Sequence, residues 1–106
     1  SKLNNKSQIT ITPEANVTID ENKTYINGNT LYLSVKGHVS ATKASETIFT
    51  IGLESNTTQR SFTIPIGIGT EWDITKAGYG YIGNNGLFSA RVNNGEYFHI
   101  NGAILL

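Results

Sequence analysis

Apolar side chains fall at every second residue along most of this chain, and no stretch of ten or more residues carries them at helical spacing. A period of two belongs to a strand with one buried face. The clearest case is Thr30–Ser40. Leu31, Leu33, Val35 and Val39 share one side, while Tyr32, Ser34, Lys36 and His38 share the other. Gly37 interrupts the inner side, which marks a bulge or the close approach of another backbone. Ile9–Ile11, ended by Pro13, and Val17–Ile19 are shorter runs of the same kind. Thr47–Leu53 sends Phe49, Ile51 and Leu53 inward, and Ser61–Ile68 sends Phe62, Ile64, Ile66 and Ile68 inward. Pro65 cannot donate a ladder hydrogen bond, so its strand lies at an edge or ends there.

Asparagine and glycine punctuate these runs. Turns are expected at Asn27-Gly28-Asn29, Lys76-Ala77-Gly78, Gly83-Asn84-Asn85-Gly86 and Asn101-Gly102, with polar loops over 41–45 and 54–59. Tyr79–Ile82 is then a short strand. About seven to nine strands with this spacing predict an all-β fold, a small antiparallel barrel or sandwich. The polar opening, residues 1–8, reads as the end of a linker or neck, and 9–106 as one domain. Ile104-Leu105-Leu106 is expected to be buried, in a last core strand or at a subunit contact.

Composition narrows function. Eight cations balance eight anions, which argues against nucleic acid and against an electrostatic membrane anchor. These residues hold no signal-peptide pattern and no apolar run of membrane length. Charged residues make up 15%, against roughly 25% in ordinary domains. The surface is therefore neutral and polar, or part of it is covered in an assembly. Without Cys or Met, disulfides and thiolate chemistry are excluded.

Residues 86–100 read as two strands joined by Asn93-Asn94-Gly95. A three-residue loop with Gly95 in the left-handed region sets Val92 opposite Glu96, Arg91 opposite Tyr97, Ala90 opposite Phe98 and Ser89 opposite His99. That register puts Phe88, Ala90, Val92, Phe98 and Ile100 on an apolar face. Ser89, Arg91, Tyr97 and His99 then form a polar face within cross-strand reach of one another. Arginine offers a rigid fork of donors for hydroxyls or anions, and Tyr97 and His99 add flat surface with polar tips.

Other constellations are weaker. Gly78-Tyr-Gly-Tyr-Ile-Gly83 spells a dinucleotide fingerprint, but strand and turn residues follow where a helix is required. It reads instead as a glycine-punctuated strand with both tyrosines on one face. Glu71 and Asp73 would share a strand face, which does not suit the two sides of a sugar ring in glycoside hydrolysis. Trp72 with Asp73 suits stacking and hydroxyl binding, set against a plain core role for Trp72 and solvated acids. His38 and His99 are the two histidines, too few alone for a metal centre. No Gly-x-Ser-x-Gly elbow is present. Neither catalytic groups nor a cofactor are expected.

Several of these pieces together resemble the C-terminal head domain of receptor-binding proteins from lactococcal siphophages. Asn29–Ser40 looks like that family's first long strand. Gly78–Gly83 with Leu87–Val92 resembles its glycine-containing strand and the next one, and Asn93–His99 resembles its Asn-Gly loop and return strand. The resemblance implies a trimeric β-barrel at the tail tip or baseplate of a virion, binding host cell-wall saccharide between protomers without catalysis. The expected saccharide-binding residues are Trp72, Asp73, Tyr81, Ser89, Arg91, Tyr97 and His99. Where the family carries an acid on the strand before the loop, this chain has Arg91, which implies a different, anionic glycan. Two other readings remain open at this point: a carbohydrate-binding module of a cell-wall hydrolase, and a ligand-free structural module of a bacterial surface protein.

Overall fold

The computed structural model describes residues 6–53, 61–83 and 85–106. The expected loop over 54–59, the first five residues and Asn84 lie outside them. The described chain is all-β, with ten strands and no helix. These are β1 (Lys6–Gln8), β2 (Ile11–Pro13), β3 (Val17–Asn22), β4 (Tyr25–Asn27), β5 (Thr30–Val39), β6 (Lys43–Ile51), β7 (Phe62–Gly69), β8 (Ile74–Ile82), β9 (Leu87–Val92) and β10 (Tyr97–Leu105).

All pairings are antiparallel, in the order β1-β4-β5-β10-β7-β8-β9-β6-β2, with β3 also on β5. The turn between β2 and β3, with Asn16 at φ 65°, sets β2 at one end of this order beside β3, which is paired to β5, so the sheet closes nearly into a barrel. Alternation fills its interior. Leu31, Leu33, Val35, Phe49, Phe88, Val92, Phe98 and Ile100 are all essentially inaccessible. Phe49 stacks on Phe88 at 4.6 Å between ring centroids and tilts against Phe98 at 6.1 Å. Burial of each such ring is worth roughly 1.5–3 kcal/mol.

Two glycines make room for this aromatic centre. A Cβ on Gly37 would lie 2.3 Å from the Thr18 carbonyl oxygen and 2.6 Å from Phe98, and one on Gly80 would lie 2.1 Å from Phe88. The expected close approach at Gly37 is therefore real. Pro13 ends β2, and Pro65 sits where β7 is paired on one side, to Tyr79 of β8, because β10 reaches β7 only at residues 67–69.

Several sequence expectations need correction. Residues 76–78 and 101–102 lie inside β8 and β10, where neighbouring strands supply the partners that a turn would have replaced. Residues 43–45 join β6 instead of a loop, and a register shift between Thr47 and Phe49 lets both Ile48 and Phe49 point inward. Glu71 and Asp73 share no strand face, because they lie in the β7–β8 turn. There Thr70 N–H donates to the Asp73 carbonyl at 2.8 Å, and Asp73 N–H donates to Thr70 Oγ1 at 3.0 Å.

The largest correction concerns β9 and β10, which do not pair with each other. β9 lies between β8 and β6, and β10 between β5 and β7. Arg91 stands opposite Ala44, and Tyr97 stands opposite His38 and Gly69. Gly95 does adopt φ 88°, as a tight loop requires. The loop, however, is held by other segments: Gly95 N–H donates to Val39 O at 2.9 Å, and Asn94 N–H to Thr42 Oγ1 at 3.1 Å. It crosses the end of the barrel beside the β5–β6 connection. The nine-residue ladder of β10 on β5 replaces the short hairpin. The inward and outward assignment of the side chains survives, because it depends on alternation and not on the partner.

The last strand carries the apolar C-terminus. Ile104 is buried and Leu106 packs on the core, its N–H donating to Asn29 O at 2.7 Å, but Leu105, expected to be buried with them, points outward and is 65% exposed.

Candidate functional site

The seven residues singled out from the sequence fall on two flanks of the barrel. Tyr81, Ser89 and Arg91 belong to β8 and β9, while Tyr97, His99, Trp72 and Asp73 belong to β10 and the β7–β8 turn. The expected single polar face is thus divided, because β7 and β8 stand between β10 and β9.

On the first flank, β8 and β9 start from the Gly83–Gly86 turn as a paired hairpin. Their ladder covers Ile82↔Phe88, Tyr81↔Ser89 and Gly80↔Ala90 and then stops. Beyond Gly80, β8 follows β7, whereas β9 follows β6 toward Lys43. The strands fork, and a cleft of about 650 Å³ opens between them. Gly78, Ile68 and Ala90 line its apolar part, and Tyr79, Tyr81, Ser89, Arg91, Ser45 and Asn93 supply its rings and polar groups. Gly78 adds no side chain, which leaves that space open.

The cleft ends at the β9–β10 loop. Lys76 Nζ pairs with Glu96 Oε2 at 2.9 Å, and the other carboxylate oxygen accepts the Asn93 N–H at 2.8 Å. These contacts hold the Glu96 carboxyl below its ordinary range, led by the Lys76 hydrogen bond. Tyr79 and Tyr81 are 73% and 49% exposed, so their rings face solvent where the strands part. Ser89 Oγ lies 3.5 Å from Thr47 Oγ1. Arg91 has no ion-pair partner among the described residues. A concave site with aromatic walls, a few convergent polar groups and one free guanidinium is the usual form of a small-ligand site. It suits hydroxyl-rich or anionic groups.

Sequence reasoning found Tyr81, Ser89 and Arg91 but missed Tyr79, Ser45, Lys76, Asn93 and Glu96. The outward period from Tyr81 could have added Tyr79. Nothing local signals the others, which reach the cleft through the fork and the crossing loop.

On the second flank, the β7–β8 turn folds over β10. His99 Nε2 donates to Thr70 O at 2.8 Å and pins it. Trp72 is 80% exposed, so the core role weighed for it is excluded. Lys36 Nζ lies 4.7 Å from the Trp72 ring centroid. Beside it His38 Nδ1 donates to Asp20 Oδ2 at 2.8 Å, and the His38 ring tilts against Tyr97 at 4.7 Å. The Tyr97 phenol is pushed above its ordinary value, first by partial burial and then by the negative charges of Glu71 and Asp20.

Among the described residues, no three His, Cys, Asp or Glu side chains are grouped to hold a metal ion, and no helix is long and apolar enough to cross a membrane. Compared with known proteins, the chain matches no family model, no curated protein and no solved structure.

Proposed function

We propose that this chain is a non-enzymatic saccharide-binding head of the receptor-binding kind, which attaches a phage tail tip to its host's cell wall. The observation that carries the reading is the cleft where β8 and β9 part. Tyr79 and Tyr81 offer faces for stacking on sugar rings, and Ser45, Ser89, Asn93 and Arg91 offer hydrogen bonds to hydroxyl or acidic groups. Away from Arg91, Lys76 and Glu96, the outward residues beside it are neutral: Thr63 and Pro65 on β7, Ala77, Tyr79 and Tyr81 on β8, Leu87 on β9. Such a face docks on copies of itself without like-charge repulsion, which supports a trimer with the cleft near each protomer boundary. Weak single sites then act together through effective concentration.

The direct test is calorimetric titration with oligosaccharides released from lactococcal cell wall. Binding to the native chain, and its loss in Arg91→Ala and Tyr81→Ala with unchanged melting temperature, is the expected result. Native binding that both variants retain in full removes the cleft from the proposal. No binding by the native chain at millimolar oligosaccharide overturns the saccharide reading.

A further inference from the structure

The Trp72 flank has its own chemistry, independent of the cleft. A tryptophan 80% exposed to water is unusual, since large aromatic side chains gain most from burial. Here the turn that carries the indole is also fixed in place. The Thr70–Asp73 hydrogen bonds close its turn, and His99 ties that turn to β10. The ring stands exposed beside Lys36 of β5.

The charges around it have one sign in excess. Glu71 and Asp73 flank Trp72 in the turn, and Asp20 lies beside His38 on the same side of the barrel. Both Glu71 and Asp20 are close enough to Tyr97 to disfavour its phenolate. Asp20 is hydrogen-bonded by His38 at 2.8 Å, so Glu71 and Asp73 are the carboxylates left, and against them stands Lys36, whose ammonium lies over the indole and in no ion pair among the described residues. The Glu21 carboxylate is taken by Lys23 at 3.4 Å. An aromatic face rimmed by carboxylates attracts cations through the ring quadrupole and the local negative field. Lys36 shows that a primary ammonium fits over this ring.

We propose that the Trp72 platform, with Tyr97, Glu71 and Asp73 around it, binds an organic ammonium ion carried by an external ligand, and that Lys36 holds the position until that ligand displaces it. The ammonium is either the free amine of an amino sugar or a quaternary ammonium group, since both present the same charge to the ring. Neutral sugars lack the charge that the surrounding carboxylates select. The site is exposed, so binding is weak, with a dissociation constant on the order of millimolar, and it is screened by salt.

Trp72 is the single tryptophan of the chain, so its intrinsic fluorescence reports on this site alone. The full chain is titrated with choline chloride, glucosamine hydrochloride, glucose and, at matched ionic strength, sodium chloride. The expected result is a saturable change with choline or glucosamine and none with glucose or sodium chloride. Saturation with glucosamine alone identifies an amino sugar, and tighter saturation with choline identifies a quaternary ammonium group. Lys36→Met removes the resident cation and tightens binding by roughly threefold, whereas Glu71→Gln weakens it by a similar factor. Arg91→Ala leaves this binding intact, which separates it from the fate of the cleft. Equal responses to glucose and glucosamine, or no saturable response in either the native chain or Lys36→Met, overturn the proposal.

Discussion

Gly80 and Gly78 lie two residues apart on the same strand and face the same way, yet they have opposite tolerances. A Cβ on Gly80 meets the Phe88 ring at 2.1 Å, inside a packed trio of phenylalanines. A Cβ on Gly78 finds its nearest neighbour, Ile68, at 3.5 Å, where the strands have begun to part. Gly80→Ala is therefore expected to destabilise the chain by about 1–3 kcal/mol through overpacking. Gly78→Ala is expected to stay within about 0.5 kcal/mol of the native chain, because it fills open space and restricts the unfolded backbone. Urea denaturation of both variants checks the contrast, and equal losses would contradict the forked geometry. At this scale the sequence was readable where alternation decides orientation. Phe88, Ala90, Val92, Phe98 and Ile100 face inward as their spacing requires. Trp72 was not readable, because a turn residue has no period to assign it a side.

At the scale of elements, the informative segment is the β9–β10 loop. Its Asn93-Asn94-Gly95 chemistry indicates a tight loop, and Gly95 takes the left-handed conformation. That local signal is silent about which strands the flanking residues will pair with. The choice belongs to β5 and β6, fifty residues earlier in the chain, whose connection runs beside the loop and bonds it through Val39 and Thr42. For this reason Arg91 and Tyr97 were expected together and are found apart, and Lys76 and Glu96 were not anticipated in the cleft. The Lys76–Glu96 pair ties this loop to β8. Because the folded Glu96 carboxyl lies below its ordinary value of 4.5, its contribution is present above that pH and is lost as pH falls through the lower folded value. Lys76 is half exposed, so the pair is worth only about 0.5 kcal/mol. Glu96→Gln should remove that amount at neutral pH and reduce the acid sensitivity of stability, as denaturation at pH 7 and in acid would show. No difference between the two proteins at either pH would mean that the loop is held by its backbone bonds alone.

For the whole molecule, the constraint is how a neutral barrel with few charges stays discrete. Its radius of gyration of 13.3 Å suits a compact unit, yet Ile74, Tyr79, Tyr81 and Leu87 leave between 42% and 73% of their surface open on one side of the barrel. Few charges interrupt that side, although edges and apolar faces are commonly protected by lysine or glutamate. The proposed trimer would bury this surface. Ile74 is the place to test this. Its side chain lies over Gly67 at the margin of the neutral face, outside the cleft lining, and is 61% exposed. Ile74→Lys places a charge there with little loss from the core, so the fold should persist. Light scattering is expected to find a trimer for the native chain at micromolar concentration and a smaller species for Ile74→Lys, with similar circular dichroism. On the proposal that the cleft binds saccharide beside a protomer boundary, that binding should weaken with the loss of assembly. A native monomer at high micromolar concentration would remove the trimer and leave the two sites to be judged separately, each on its own titration.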